Sequence, residues 1–142
     1  MQRSTSSPWK HLVRFHGLAL LLVATTMTAL LAGCAGLGSR PPVSVAFTAG
    51  LTPPTSMSTS GNVDVAATVA NDPAHAGVNW TVSCDGNQCG SFITANPVAS
   101  SSPATYCAPD SVPSGGTVTL TATSVADNTK STSATVTITE GK

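Results

Sequence analysis

Four cysteines, a few acids and one histidine beyond the N-terminal third are the side chains with chemistry to offer. Cys84 and Cys89 flank the four residues Asp85-Gly86-Asn87-Gln88. A bridge across so short a turn clamps a corner of the chain, and the loop-entropy estimate for it is about 2 kcal/mol. Cys107 stands alone further on. Three thiols allow three pairings, each leaving one free. The spacing favours Cys84 with Cys89, which makes Cys107 a small buried hydrophobe. No Cys-x-x-Cys pair occurs, and His75 is the only histidine after residue 33. That is too small a donor set for zinc. Hydrolytic catalysis needs a nucleophile, a base and an orienting group within reach. His75 sits in a loop, Asp72-Pro73-Ala74-His75, and reads as solvated. The acids are scattered through turns. The expectation is a non-enzymatic protein with no catalytic residues, no metal centre and no cofactor.

The fourth cysteine has a different setting. Residues 1–17 carry Arg3, Lys10 and Arg14 and no acid, and Leu18 to Ala32 are fifteen uncharged, mainly apolar residues. A basic segment, a short apolar segment and small residues are the parts of an export signal. A membrane span needs about 20 apolar residues, and this run is shorter. It ends in Leu31-Ala32-Gly33-Cys34, which resembles the lipobox of bacterial lipoproteins. That resemblance implies diacylglycerol on the Cys34 thiol, cleavage between Gly33 and Cys34, and acylation of the new amino group. Two or more acyl chains give stable anchoring. Ala35 follows the cysteine; an Asp there favours inner-membrane retention in that group, so Ala35 implies the outer membrane of a two-membrane cell envelope. An exported chain also meets an oxidising compartment, where disulfides persist.

The chain then divides into a signal peptide (1–33), a lipidated cysteine and tether (34–42) and one domain (43–142). Eight residues of tether, Ala35 to Pro42, reach roughly 25 Å at full extension, which keeps the domain near the bilayer. The neutral overall charge hides an acidic domain. After residue 33 there remain Arg40, Lys130 and Lys142 against Asp64, Asp72, Asp85, Asp110, Asp127 and Glu140, a net −3. Nucleic acid is excluded as a partner, because phosphate binding needs a basic patch.

The elements that must position these groups are strands. Thr, Ser, Val and Ala with Gly and Pro punctuation indicate sheet. Strict alternation over Thr117–Val125 puts Val118, Leu120 and Ala122 inward and the threonines outward. Ser131–Thr139 puts Ala134, Val136 and Ile138 inward. In Val78–Cys84 the even positions share a face, with Trp80 as a core pin. Further strands are expected at Val43–Phe47, Val63–Val69, Ser91–Ile93 and Ala104–Ala108, with a short edge strand around Met57. About seven strands separated by turn signals form an all-β, immunoglobulin-like β-sandwich.

The stretches Gly77–Val82, Tyr106–Pro109, Gly116–Ser124 and Ser133–Ile138 resemble bacterial immunoglobulin-like domains of the group-2 type. The resemblance covers residues 43–139; Cys107 departs from it at a position where Thr is common. Such domains occur in surface adhesins and envelope proteins, usually as tandem spacers, whereas one copy is present here. The resemblance implies a binding or structural role: adhesion, or docking in an envelope assembly, with the membrane reached through the lipid on Cys34 and a protein or glycan partner. The topology implies that the Asn71–Gly77 loop, the Ala126–Lys130 hairpin and the start of the first strand share one pole. Asn71, Asp72, Asp127 and Asn128 could hold calcium there, against the ordinary alternative of self-bonded Asx turns. The Cys84–Cys89 corner and the Asp110–Gly116 turn then form the opposite pole, where a partner is expected. A glycan-capturing domain, the rival, needs exposed aromatics, and only Phe47, Trp80, Phe92 and Tyr106 follow residue 33.

Overall fold

Strand alternation accounts for most of the architecture. A computed structural model describes residues 38–141; the segment expected to be a signal peptide, with Gly33 and Cys34, lies outside the described residues. Nine strands follow in order: β1 (Ser44–Phe47), β2 (Ser56–Ser58), β3 (Asn62–Val65), β4 (Ala67–Ala70), β5 (Val78–Cys84), β6 (Ser91–Phe92), β7 (Ala104–Cys107), β8 (Thr117–Ser124) and β9 (Ser131–Thr139). No helix occurs among the described residues, so none is long and apolar enough to cross a membrane. The fold is all-β and sandwich-like.

One sheet has four strands in the order β2-β9-β8-β5. β8 pairs antiparallel with both neighbours, Thr121 lying opposite Thr81 and Ser133. β2 adds a short parallel edge to β9. The other strands pair as β1-β4 and as β3-β7-β6. β3 and β4 are one run interrupted at Ala66. The unbroken alternation of Val63–Val69 predicts one strand, and the interruption has a local cause. Ala66 N–H donates to the Leu51 carbonyl and its own carbonyl accepts from Thr48 N–H, each at 2.8 Å. The 48–51 turn therefore takes the backbone groups at the point where the run changes partner from β7 to β1. The side chains of Val65, Ala66 and Ala67 are all buried there.

The core lies between the inward faces. Val65, Ala67, Val69, Ala104 and Tyr106 meet Val78, Trp80, Val118, Leu120, Ala122, Val136 and Ile138. Ala134 of β9 is half-buried, as are the threonines of β8. The four aromatic rings run in a line: Phe47 stacks on Trp80 at 6.3 Å, Trp80 meets Phe92 at 5.2 Å, and Phe92 meets Tyr106 at 5.5 Å. Trp80 comes from β5 and the other three from the opposing strands, so the indole joins the two layers.

The free edge of β5 is covered by a loop. Val78 and Val98 exchange backbone hydrogen bonds at 2.8 Å in both directions. The Asn96 side chain then acts as a strand residue: its Oδ1 accepts from Trp80 N–H and its Nδ2 donates to the Trp80 carbonyl, both at 2.9 Å. An uncovered edge is a template for pairing with another chain, and this loop removes the first half of it. Gly77, at φ +81°, lets the loop close in, since a Cβ there would stand 2.2 Å from the Val98 carbonyl oxygen.

Candidate functional site

β5 ends at Cys84, and there the chain reverses through an exposed turn, Asp85 to Gln88. Cys84 and Cys89 form a disulfide, with Cα atoms 5.3 Å apart, as their spacing predicts. Three further bonds secure this turn. Ser114 Oγ donates to the Asp85 carbonyl at 2.9 Å, and Ser111 Oγ donates to Gln88 Oε1 at 2.6 Å. Both serines belong to the Asp110–Gly116 turn, so the two turns sit together at one pole, as the topology predicts. The third bond comes from the core: the Tyr106 hydroxyl donates to the Cys89 carbonyl at 2.5 Å. Ser60 Oγ, from the β2–β3 connection, donates to Asp110 Oδ1 at 3.0 Å.

Gly90 makes the approach of Tyr106 possible. Its φ is +76°, and a Cβ would meet the Cys107 carbonyl oxygen at 2.2 Å and Tyr106 Oη at 2.7 Å. Only glycine leaves room for that crossing. Tyr106 is fully buried. Burial, with the charge of Cys107 adding to it, pushes the phenol up to about 12. It stays a neutral donor across the physiological range.

Cys107 is free, as expected, but half-buried where a buried thiol is predicted. The correction follows from alternation along β7. Ala104 and Tyr106 point inward, which turns Thr105 and Cys107 to the outer face. Its register partners, Asn62 and Ser91, are exposed on that face.

The other pole gathers the residues considered for calcium. Gly77 O accepts from Val125 N–H at 3.0 Å, which brings the Asn71–Gly77 loop beside the Ala126–Lys130 hairpin. Asn71, in the left-handed conformation at φ +61°, donates from Nδ2 to the Pro42 carbonyl at 2.8 Å. The chain therefore enters the domain here. The carboxylates, however, serve their own turns. Asp72 is buried, and its two oxygens accept from Ala74 N–H at 3.1 Å and Gly77 N–H at 3.3 Å. Asp127 Oδ1 accepts from the Thr129 hydroxyl at 2.6 Å and the Thr129 N–H at 3.0 Å. The Thr129 hydroxyl, then its amide, hold the Asp127 carboxyl below its ordinary value, with Lys130 helping. This is Asx-turn chemistry. No three His, Cys, Asp or Glu side chains cluster for a metal ion among the described residues. His75 is exposed, at φ +51°, with its backbone N–H on the Asp72 carbonyl at 3.3 Å.

The aromatics that a glycan platform requires are inside. Trp80 and Tyr106 are buried, while Phe47 and Phe92 are half-buried against the same core. The exposed large apolar side chains among the described residues are Ile93 and Val125, which are single and separate. Sequence reasoning foresaw the pairing of poles and the disulfide. It missed Tyr106, Ser111, Ser114 and Asn96 as ties between segments, since serine and asparagine in a loop carry no mark of their partner. No family model matches this chain, and neither the curated proteins nor the solved structures contain a match to it.

Proposed function

We propose that this chain is a lipid-anchored module of a bacterial cell envelope, with one immunoglobulin-like sandwich, whose work is adhesion or docking and not catalysis. The strand arrangement supports the immunoglobulin-like reading. β1, β3/β4, β7 and β6 correspond to strands A, B, E and D of one sheet, and β5, β8 and β9 to C, F and G of the other. The buried Trp80 lies on the strand that corresponds to C, as in that fold. The disulfide departs from it, clamping the end of that strand in place of linking the sheets.

One observation carries the functional reading. The chain enters at the Asn71 pole, where Pro42 is held by Asn71 Nδ2, and the disulfide turn lies at the far end of β5. Seven residues of strand separate the poles by roughly 20 Å. A lipid on Cys34, a short tether away, anchors the Asn71 pole toward the bilayer and presents the Cys84–Cys89 and Asp110–Gly116 turns outward.

The test is to express the full chain in a two-membrane bacterium, label it with a fatty-acid probe, and cross-link the intact envelope. Labelling lost in Cys34→Ala, with one saturable cross-linked protein, supports the reading. A chain that is never labelled, or label that persists in Cys34→Ala, overturns the anchor. Polysaccharide recovered in place of protein would put glycan capture ahead.

A further inference from the structure

We propose that the Cys84–Cys89 disulfide is a redox latch, holding the Asp85–Gln88 turn against the Asp110–Gly116 turn while oxidised and freeing it when reduced. Its use in regulation rests on the reading that this pole faces the partner; the latch itself does not.

The Asp110–Gly116 turn has anchors of its own, Ser60 Oγ on Asp110 and Ile138 N–H on the Gly116 carbonyl, whereas the Asp85–Gln88 turn depends on the disulfide at its base. Asp85, Gly86, Asn87 and Gln88 are all exposed and contribute nothing to the core. What holds them is the bridge and the three hydrogen bonds at Asp85 O, Gln88 Oε1 and Cys89 O. Each of those acceptors lies between the two cysteines or on one of them. The Ser111 and Ser114 hydroxyls therefore find fixed acceptors only while the five-residue separation is closed. Both half-cystines are half-buried, and Cys84 packs against the core. By contrast, the Asn71 pole is held by Asp72, Asp127 and backbone bonds that contain no sulfur.

The reductant is a dithiol, supplied from outside the chain. One of its thiolates attacks a sulfur of the bridge, the S–S bond breaks, and a mixed disulfide forms with release of the other cysteine. The second thiol of the reductant then displaces the remaining cysteine. The reductant leaves as its own disulfide, having given two electrons, and Cys84 and Cys89 each take up a proton as thiols. The short loop regains the conformational freedom that the bridge had removed.

The test is hydrogen exchange on the full chain, extracted in detergent, oxidised or treated with dithiothreitol. Cys107→Ser is included as a background so that no third thiol exchanges with the bridge. Reduction is expected to accelerate the strand amides of Ser91–Ile93, which follow Cys89 directly, by about tenfold or more, with those of Val125–Ser131 unchanged. The Tyr106 ionisation midpoint, which burial holds up, should move down as the turn above it opens to water, read by ultraviolet absorbance against the oxidised Cys107→Ser protein. A Cys84→Ser/Cys89→Ser variant should show both changes without reductant. Unchanged exchange at both poles overturns the proposal. Equal acceleration at both poles also overturns it, because the bridge would then stabilise the whole domain and latch nothing. None of these readouts involves a partner or a lipid, so cross-linking can fail while the latch stands, and the reverse.

Discussion

The Tyr106 hydroxyl donates to the Cys89 carbonyl across 2.5 Å, tying the end of a buried aromatic line to an exposed disulfide turn. A fully buried phenol with one strong acceptor gives a pH signature. Its folded value is raised to about 12, so its contribution to stability is complete below the ordinary value near 10. It is lost as pH rises through about 12. Denaturant unfolding from pH 8 to 12 should show falling stability above pH 10. Tyr106→Phe should be destabilised at neutral pH by about 1 kcal/mol, the net worth of such a bond, and should show less of that alkaline fall.

Trp80 spans the two layers and is 2% exposed, yet its indole N–H has no hydrogen-bond partner. Removing the ring and removing the donor should differ sharply. Trp80→Ala is expected to cost about 3–5 kcal/mol through the cavity it leaves. Trp80→Phe should cost much less, because the smaller cavity is offset by loss of an unsatisfied buried donor. Equilibrium unfolding of the two variants, compared at one pH, checks this.

Gly90 and Gly50 both adopt positive φ, at +76° and +83°, but only Gly90 is crowded. A Cβ at Gly50 meets nothing within 4 Å. Gly50→Ala should therefore cost only the backbone strain, about 1 kcal/mol. Gly90→Ala adds a collision with the Cys107 carbonyl and with Tyr106, and should cost clearly more. It should also lower the Tyr106 ionisation midpoint, whereas Gly50→Ala should leave it in place. Melting curves with an ultraviolet titration distinguish the two.

Asp127 holds its hairpin through Thr129, and its carboxyl ionises below the ordinary value. A depressed carboxyl stabilises above its unfolded value and loses that contribution as pH falls through the folded one. Melting temperature should thus fall in acid between about pH 4 and the depressed value. Asp127→Asn removes the charge-dependent part. Its melting temperature should be lower at neutral pH and should decline less in that window. Thr129→Val should weaken the same dependence.

Much of this fold was legible because its strands are half-buried and two-sided. Val118, Leu120 and Ala122 alternate with threonine, and all three are inside. The run Val78–Cys84 announced both the core tryptophan and the face that carries it. The Cys84–Cys89 bridge followed from a four-residue spacing, a local property. Cysteine's usual burial predicts Cys107 indoors, although the alternation around Tyr106 assigns it to the outer face. Cysteine's preference for burial and the strand geometry point opposite ways at this position, and the geometry prevails.

The primary structure by itself determined the all-β class, the acidic character of the domain, the alternating faces and the turn positions. Each of these depends on residues within a few positions of one another. Only the tertiary structure decided the break at Ala66, where two strands compete for one run. It also decided the closing of the β5 edge by Asn96, and the meeting of Tyr106, Ser111 and Ser114 with the disulfide turn. Those contacts join segments 16 to 29 residues apart. A hydroxyl or amide bonds equally well to many acceptors, so its partner is set by which backbone the packed core carries into reach.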